Sequence, residues 1–178
     1  MAYVSVSILP GISLFCNVSF SVGKGAANKF DDVVLVQHFL RNIYRYGDLT
    51  PPESKPLSVD GICGKHTRLW ILSFQKLCRK IGLSVALDGQ ISPARGIFSK
   101  AGTVYTILHL NASYMARYPD LFKELVTNPR ALTNLTMLHV PLIKLDVPSL
   151  DGEPLVEEPA TPGKLPEVNL KIIPPRVP

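Results

Sequence analysis

Two aspartates, Asp60 and Asp88, come closest to a catalytic pattern in this sequence, and each is followed directly by glycine. Hydrolysis of a glycosidic bond needs two carboxyl groups, one in an apolar pocket and one facing it across the scissile bond. Aspartate before glycine is also typical of a tight turn, in which the carboxylate accepts hydrogen bonds from the nearby backbone. The turn interpretation explains both positions, so we expect a protein that is not an enzyme.

The other nucleophilic and metal-binding side chains do not form a reactive pattern. The segment 23–25 is too short for a phosphate-binding loop, and no Ser/His/Asp or Cys/His arrangement is signalled. Three cysteines cannot complete a disulfide framework, and we expect them to be buried apolar residues in a reducing cytosol. The histidines lack the i, i+4 spacing of zinc enzymes, so neither a metal nor a cofactor is expected. These residues are Cys16, Cys63, Cys78, His38, His66, His109 and His139.

The stretch 59–75 is the centre of the sequence and predicts a tight turn that leads into a helix. Gly61 and Gly64 can adopt backbone conformations closed to residues with a Cβ, and Thr67 is a suitable N-cap. Gly82 marks the end of the helix. One helical face is apolar, because hydrophobic residues recur at three- and four-residue steps. We expect the side chains of this face to pack in the hydrophobic core and not to stack on a sugar. They are Trp70, Phe74, Leu77, Cys78 and Ile81.

The same stretch matches a known motif. The pattern D-G-x-x-G-x-x-T from Asp60, completed by F-Q at 74–75, resembles the peptidoglycan-binding-like domain, a small three-helix module. Upstream, the V/L-Q-x-x-L of the family's first helix is matched at 36–40. Downstream, 87–92 resembles the family's second D-G turn, which precedes its last helix. The resemblance covers about 29–100.

The resemblance implies a compact helical domain that binds peptidoglycan. The site would be formed by the turn 60–65 and the facing turn 88–92. Lys65 and Arg68 would donate charge-assisted hydrogen bonds to carboxylates of the peptide stems. The candidate ligand-binding residues are Asp60, Gly61, Gly64, Lys65, Arg68, Asp88 and Gly89.

The sequence departs from the family pattern in three ways, which affect the expected ligand site more than the expected fold. Cys63 stands where a large aromatic residue is common, and the loop 47–58 is long and rich in proline. Ser92 and Pro93 replace G-x-x-T after the second turn, although they suit the N-cap and first turn of a third helix. These departures favour a module that serves as a building block, with a groove that contacts another subunit.

The N-terminal segment 1–28 predicts a β-hairpin and a linker. Apolar residues alternate with serine and asparagine on both sides of Pro10 and Gly11, which is typical of two strands joined by a turn. A lone hairpin is marginal in water, so we expect it to pair with a further strand, from this chain or from a neighbour. Together with the helices, this gives an α+β fold that is mainly α.

The helices are expected at positions that follow from apolar spacing and from glycine or proline stops. Within 101–140, we predict a helix over 103–115 that ends before Pro119, a short helix over 120–126 and another from Asn128 onward. The first helix of the module is predicted over 32–46, ending at Gly47. Its core residues are Val33, Val36, Leu40, Ile43 and Tyr44.

The segment 141–178 predicts an extended arm, because it holds nine of the sixteen prolines of the chain. A plain linker would be richer in glycine and serine and poorer in large apolar residues. Spaced apolar anchors on an extended chain suit binding along a partner's surface. The candidate partner-binding residues are Leu142, Ile143, Leu155, Val156, Ile172 and Ile173.

Charge and hydropathy limit the kinds of partner that the chain can bind. Residues 1–140 hold fifteen Lys and Arg against eight Asp and Glu, whereas 141–178 hold four against six. The basic residues concentrated in 65–80 could attract an anionic polymer, but a solvated helix face explains them better, and we do not expect nucleic acid as a partner. No apolar run reaches the length of a membrane helix, and the first lysine, Lys24, comes too late for a signal peptide. We expect synthesis in the cytoplasm, without a signal peptide.

Three functional hypotheses follow. The first is a non-catalytic structural component of a phage virion, in the tail or baseplate, with contact to the host wall as an added role. It would bind other virion subunits through the hairpin and the arm, in a multi-subunit assembly. The alternative is a cell-wall binding module that acts with a separate hydrolase. The third is a basic nucleic-acid-binding protein, which explains the charge but not the motif.

Overall fold

A computed structural model describes residues 2–9, 12–47, 49–128, 131 and 135. Within them the chain forms four helices and two small antiparallel sheets, so the mainly helical α+β class is confirmed. None of the helices in this part of the chain is long and apolar enough to cross a membrane. The helices are α1 Phe30–Arg45, α2 Lys65–Lys80, α3 Thr106–Arg117 and α4 Pro119–Thr127, and the strands are β1 Tyr3–Leu9, β2 Ile12–Asn17, β3 Val22–Gly23 and β4 Gln90–Ile91.

The predicted N-terminal hairpin is confirmed as the antiparallel pair β1 and β2, in which Val4 faces Cys16 and Val6 faces Leu14. Among the described residues, no further strand of this chain joins the sheet, which has two strands only, so pairing with a strand of a neighbouring chain stays a prediction. The hairpin packs on helices instead: β2 contacts α3 and α4. Burial of Cys16 against helices therefore supplies the stability that a lone hairpin lacks. The turn at 10–11 lies outside the described residues.

Helix α1 is held at its start by a buried carboxylate. Asp32 accepts hydrogen bonds from the backbone N–H groups of Ser19 (2.9 Å) and Phe20 (3.0 Å), which fastens the segment before β3 to the first turn of α1. A negative charge in the first turn also interacts favourably with the helix dipole. The helix ends before Gly47, whose φ of 92° suits glycine. All five predicted core residues are buried: Val33, Val36, Leu40, Ile43 and Tyr44.

Helix α2 confirms three of the five predicted core positions and corrects one. Trp70, Phe74 and Cys78 are buried, each at most 2% exposed, and Leu77 is partly buried. Ile81 is 64% exposed, because the helix ends at Lys80 and Ile81 leaves the apolar stripe.

The start of α2 differs from the prediction in two respects. The helix begins at Lys65 with Gly64 as its N-cap, so Thr67 lies inside the first turn and is not the cap. The φ of Gly64 is −81°, which any residue can adopt, whereas the φ of Gly61 is 73°. The conformational requirement for glycine thus holds at Gly61 alone of these two positions.

The third helix does not start at Ser92 and Pro93, as the sequence predicts. Residues 92–105 form a loop that contains an isolated bridge between Phe98 and Val104, and the next helix is α3. The physical reason lies 77 residues upstream: the side chain of Asn17 donates to the carbonyl of Ala94 (2.9 Å) and accepts from its N–H (3.1 Å). A helix starting at Pro93 would need that carbonyl for its own backbone.

The remaining helices agree with the predicted pattern, with shifted ends. α3 covers most of the predicted 103–115 and ends before Pro119, and α4 corresponds to the predicted 120–126. In the region of the helix predicted from Asn128 onward, three residues are described: Asn128 follows the end of α4, Ala131 is helical and Leu135 lies in a turn. The arm 141–178 and its six candidate partner-binding residues lie outside the described residues.

Hairpin, loops and helices share one hydrophobic core. Its centre is formed by Phe39, Phe74 and Tyr114 from α1, α2 and α3, all at most 1% exposed, and α1 packs directly on α3. Side chains from the predicted module 29–100 and from the predicted helices in 101–140 are therefore buried together. Leu135 is also buried in this core.

Candidate functional site

The first D-G turn is fastened to α1 by one buried glutamine. Gln37 donates through Nε2 to Asp60 Oδ1 (2.9 Å), the Ile62 carbonyl (3.1 Å) and Thr67 Oγ1 (3.1 Å). Its Oε1 accepts from the N–H groups of Asp60 (3.1 Å) and Gly61 (2.9 Å). Asp60 Oδ1 also accepts from the Ile62 N–H at 2.9 Å, which closes the turn. One amide thereby joins α1, the turn and the first turn of α2.

The second D-G turn is fastened to α2 in the same way by Gln75. Its Nε2 donates to Asp88 Oδ1 (2.9 Å), the Gln90 carbonyl (2.9 Å) and Thr106 Oγ1 (3.5 Å), and its Oε1 accepts from the Gly89 N–H (2.9 Å). Asp88 Oδ1 accepts from the Gln90 N–H at 2.9 Å. Here the glutamine joins α2, the turn and the start of α3.

The two networks make an internal structural repeat of helix glutamine, D-G turn and threonine of the next helix. The threonine follows the aspartate by seven positions in the first unit, at Thr67, and by eighteen in the second, at Thr106. The loop 92–105 accounts for the difference. The sequence pattern D-G-x-x-G-x-x-T identified the first threonine but missed the second, as well as the structural role of Gln37 and Gln75.

Both turns contact the same short segment around β3. A Cβ on Gly23, which has a φ of 137°, would collide with the carbonyl oxygen of Gly89. Lys24 donates its N–H to Gly89 O at 3.4 Å and accepts from Gln90 Nε2 at 2.8 Å. From the first turn, the thiol of Cys63 interacts with the backbone of Gly23. The turn pair that the sequence proposed as one surface therefore meets at Gly23.

The candidate ligand-binding residues divide into turn-forming and exposed groups. Gly61 and Gly89 are buried, and Asp60 and Asp88 are exposed but use Oδ1 to hold the turns. Gly64 caps α2. Lys65 and Arg68 are exposed on the first turns of α2, where Arg68 Nε donates to the Gly64 carbonyl at 3.3 Å. Their assignment to a ligand stays a prediction.

A cleft of about 290 Å³ opens beside the second turn. Its wall is the loop 92–105, which the first unit does not contain. The lining combines the hydroxyl-bearing Ser92, Ser99 and Thr103 with one acid, Asp88, and one base, Lys100. Such a lining can hydrogen-bond a polar ligand that carries both carboxylate and amino groups.

The turns are bordered by exposed aromatic and apolar side chains. Phe30 is 58% exposed and its ring packs on Gly61, where a Cβ would collide with it. Ile62 in the same turn is 68% exposed. Phe20 is 48% exposed and lies under the ammonium of Lys29, at 5.8 Å from the ring centre. The surface near the first turn is therefore both apolar and cationic.

The cysteines are suited to burial rather than to nucleophilic chemistry. Burial raises the pKa of Cys16 to about 12 and that of Cys78 to about 11, so both thiols stay protonated at neutral pH. Burial also raises the pKa of the half-buried Cys63, although Arg68 and the Gly23 backbone act in the opposite direction. In the part of the chain that the structure describes, no three potential metal ligands lie together.

A buried polar pair lies apart from the turns, between α1 and α3. His38 Nε2 and the Tyr114 hydroxyl are 3.1 Å apart in the core. Burial, with a smaller contribution from Arg41, lowers the pKa of His38 to about 4, and burial raises that of Tyr114. The pair is thus neutral at pH 7, which is consistent with a structural hydrogen bond.

No family model, curated protein or solved structure matches the chain. The resemblance to the peptidoglycan-binding-like domain therefore depends on the motif residues alone and stays a prediction.

Proposed function

We propose that this protein is a non-enzymatic structural subunit of a phage virion, in the tail or baseplate. Its helical domain follows the plan of a peptidoglycan-binding-like module and contacts the host cell wall. Its proposed partners are other virion subunits, bound through the hairpin and through the arm 141–178.

The observation that carries this proposal is the repeated glutamine network. The residues that the motif shares with the module, Gln37 and Gln75 with Asp60 and Asp88, act as a unit in two places. A repeat of this kind supports a common construction plan for the module, because each part of the motif has a partner in the network. If the motif were present by chance, its residues would not need to contact one another in the folded chain.

The same network supports a binding role over an enzymatic one. Asp60 and Asp88 each use one carboxylate oxygen to accept a backbone hydrogen bond within the turn, and both are exposed to solvent. A glycosidase acid lies in an apolar pocket, whereas both aspartates are exposed to solvent.

Contact with the wall is supported by the surface beside the first turn. Lys65 and Arg68 are exposed side by side on one helical end, and the Lys24 side chain is exposed near the second turn. Peptide stems carry carboxylates, which these cations can bind through charge-assisted hydrogen bonds. Exposed Phe30 and Ile62 add apolar area for the alkyl parts of a stem.

Retention on purified cell-wall sacculi tests the wall contact. We expect the protein to stay bound at high salt, and the double variant Lys65→Glu, Arg68→Glu to be lost from the pellet with its circular dichroism unchanged. The double variant Lys76→Glu, Lys80→Glu is the matched control, because it changes the same charge on exposed positions further along α2. Equal retention of both variants would move the site away from the first turn.

Two other outcomes separate the remaining hypotheses. Retention on DNA that disappears with salt, without retention on sacculi, would favour the nucleic-acid binder. Absence from both, with the protein found in purified phage particles, would favour a structural subunit without wall contact.

Truncation after Val140 tests the assembly role of the arm. The truncated chain keeps Leu135, which is buried in the core. We expect its melting temperature to be nearly unchanged, while the protein is missing from purified particles. Normal incorporation would show that the arm is not needed for docking, and failure to fold would show that the arm stabilises its own domain.

A further inference from the structure

The two edges of the N-terminal hairpin have different surroundings in the fold. The edge of β2 is closed by one side chain from α3: Asn111 Oδ1 accepts from the Cys16 N–H at 2.8 Å, and Asn111 Nδ2 donates to the Cys16 carbonyl at 2.8 Å. The backbone groups of Cys16 therefore point away from β1 and are fully paired.

The pairing of β2 fixes the direction of the backbone groups of β1. In an antiparallel pair, facing residues either exchange both hydrogen bonds or point both sets of groups outward, in alternation. Val4 faces Cys16, and Val6 faces Leu14 two positions further along. The N–H and C=O of Val4 and Val6 therefore point to the outer edge of β1. Among the described residues, no strand pairs with that edge.

From Tyr3 to Val6, the outer edge of β1 lacks the charged side chains and the proline that often keep an edge strand from pairing, and the irregularity in its register comes only after Val6. Proteins protect such edges with charged side chains, with proline or with a covering element. β1 has the sequence YVSVSIL, without charge or proline, and no charged side chain precedes Lys24. The Val6 side chain is 79% exposed. This edge has the properties of an interface.

We propose that β1 is a dimerisation strand, which pairs antiparallel with β1 of a second copy to form a continuous four-stranded sheet. A two-fold axis at Ser5 would place each Val4 opposite the Val6 of the other copy. Both residues point outward, so the two valine pairs would close four backbone hydrogen bonds and two apolar cross-strand contacts.

A second copy fits this edge for two reasons. The outward groups are symmetric about Ser5, so the strand is complementary to itself under a two-fold axis. An uncharged strand can also lie against its own copy without like charges in opposition, which would be destabilising. The interface is small, so the dimer should be weak and should depend on protein concentration. This inference holds whether or not the protein contacts the cell wall.

The test uses the full-length chain in a concentration series up to about 1 mM, where weak dimers populate. We expect sedimentation equilibrium to show a reversible monomer–dimer equilibrium. Amide hydrogen exchange should slow at Val4 and Val6 as the dimer forms. The Ser5 amide, which is bonded inside the hairpin, should not change with concentration and serves as the internal reference.

Two variants of one exposed position test the geometry. Val6→Pro removes an outward N–H that the hairpin does not use, and Val6→Lys places a charge on the edge. We expect each to weaken the dimer at least tenfold. Ser13→Lys adds the same charge to an exposed position on β2 and should leave the dimer unchanged.

Several results would overturn the proposal. One is a monomer at every concentration, whether its Val4 and Val6 amides are unprotected or are already protected by another part of the chain. Another is a dimer that persists in Val6→Lys, because that dimer would use a different surface. If Val6→Pro fails to fold, the lysine variant and the exchange data on the unchanged protein still decide the question.

Discussion

Gln37 should be among the most sensitive polar positions of the protein. We choose Gln37→Met, which keeps the length of the side chain and removes its amide. Gln37 is 1% exposed and has five hydrogen-bonded contacts of 2.9–3.1 Å. In the variant, the buried N–H of Gly61 has no acceptor, and Thr67 Oγ1 loses a donor.

The expected loss of stability follows from these contacts. A buried group left without a partner costs about 1–3 kcal/mol, which applies to the Gly61 N–H. The contacts with Asp60 and Ile62 are partly accessible, so water can replace some of them, and together with the buried contact to Thr67 they contribute about 1–2 kcal/mol. We expect Gln37→Met to lower the free energy of unfolding by about 2–5 kcal/mol. Gln75→Met should cost slightly less, because its contact with Thr106 is long, at 3.5 Å.

Urea unfolding measures this difference, with the fluorescence of Trp70 as the signal. Trp70 is the only tryptophan and is 2% exposed, so unfolding changes its surroundings. Gln90→Met is the matched control: the same chemical change removes one exposed hydrogen bond, to the Lys24 carbonyl, and should cost under about 1 kcal/mol. If Gln37→Met is no more costly than this control, the turn is held by other contacts and our reasoning is wrong.

Three further predictions concern the core, the turns and pH. Phe74→Ala should cost about 3–5 kcal/mol in urea unfolding, whereas the exposed Ile81→Ala should cost under about 1 kcal/mol; similar costs would contradict the burial of Phe74. Gly61→Ala should melt at a lower temperature than Gly89→Ala, because both have positive φ but only the first added Cβ meets an aromatic ring; the reverse order would refute this packing. The pKa of His38 is lowered to about 4 from 6.5, so the unfolded state binds more protons between these values. Stability should therefore fall as the pH drops below about 6.5, by about 2 kcal/mol at pH 5. His38→Gln should reduce this dependence of stability on pH. An equal dependence in both proteins would show that other groups cause it.

Much of the secondary structure could be predicted because it depends on local periodicity. The three- and four-residue spacing of Val33, Val36 and Leu40 identifies the buried face of α1, and Trp70 and Phe74 identify that of α2. These patterns are reliable because a helix rotates its side chains in a fixed way, whatever it packs against.

The ends of elements and the site were harder to predict, because they depend on distant partners. Ile81 continues the apolar spacing of α2, but the helix ends one residue earlier. Threonine is a common N-cap residue, yet the hydroxyl of Thr67 accepts a hydrogen bond from Gln37, thirty residues upstream. A polar residue on an apolar helix face, as at Gln37 and Gln75, was the available signal for a buried hydrogen-bonding role.

The sequence by itself determined the hairpin, the amphipathic helices and the two D-G turns, because alternation, helical spacing and turn composition are local properties. Tertiary structure decided where the third helix begins. Ser92 and Pro93 have the local composition of a helix start, but Asn17 binds both backbone groups of Ala94 and holds this segment as a loop. It also decided that Asn111 closes the edge of β2, since this contact joins residues far apart in the chain, and that no strand of the described residues pairs with the outer edge of β1.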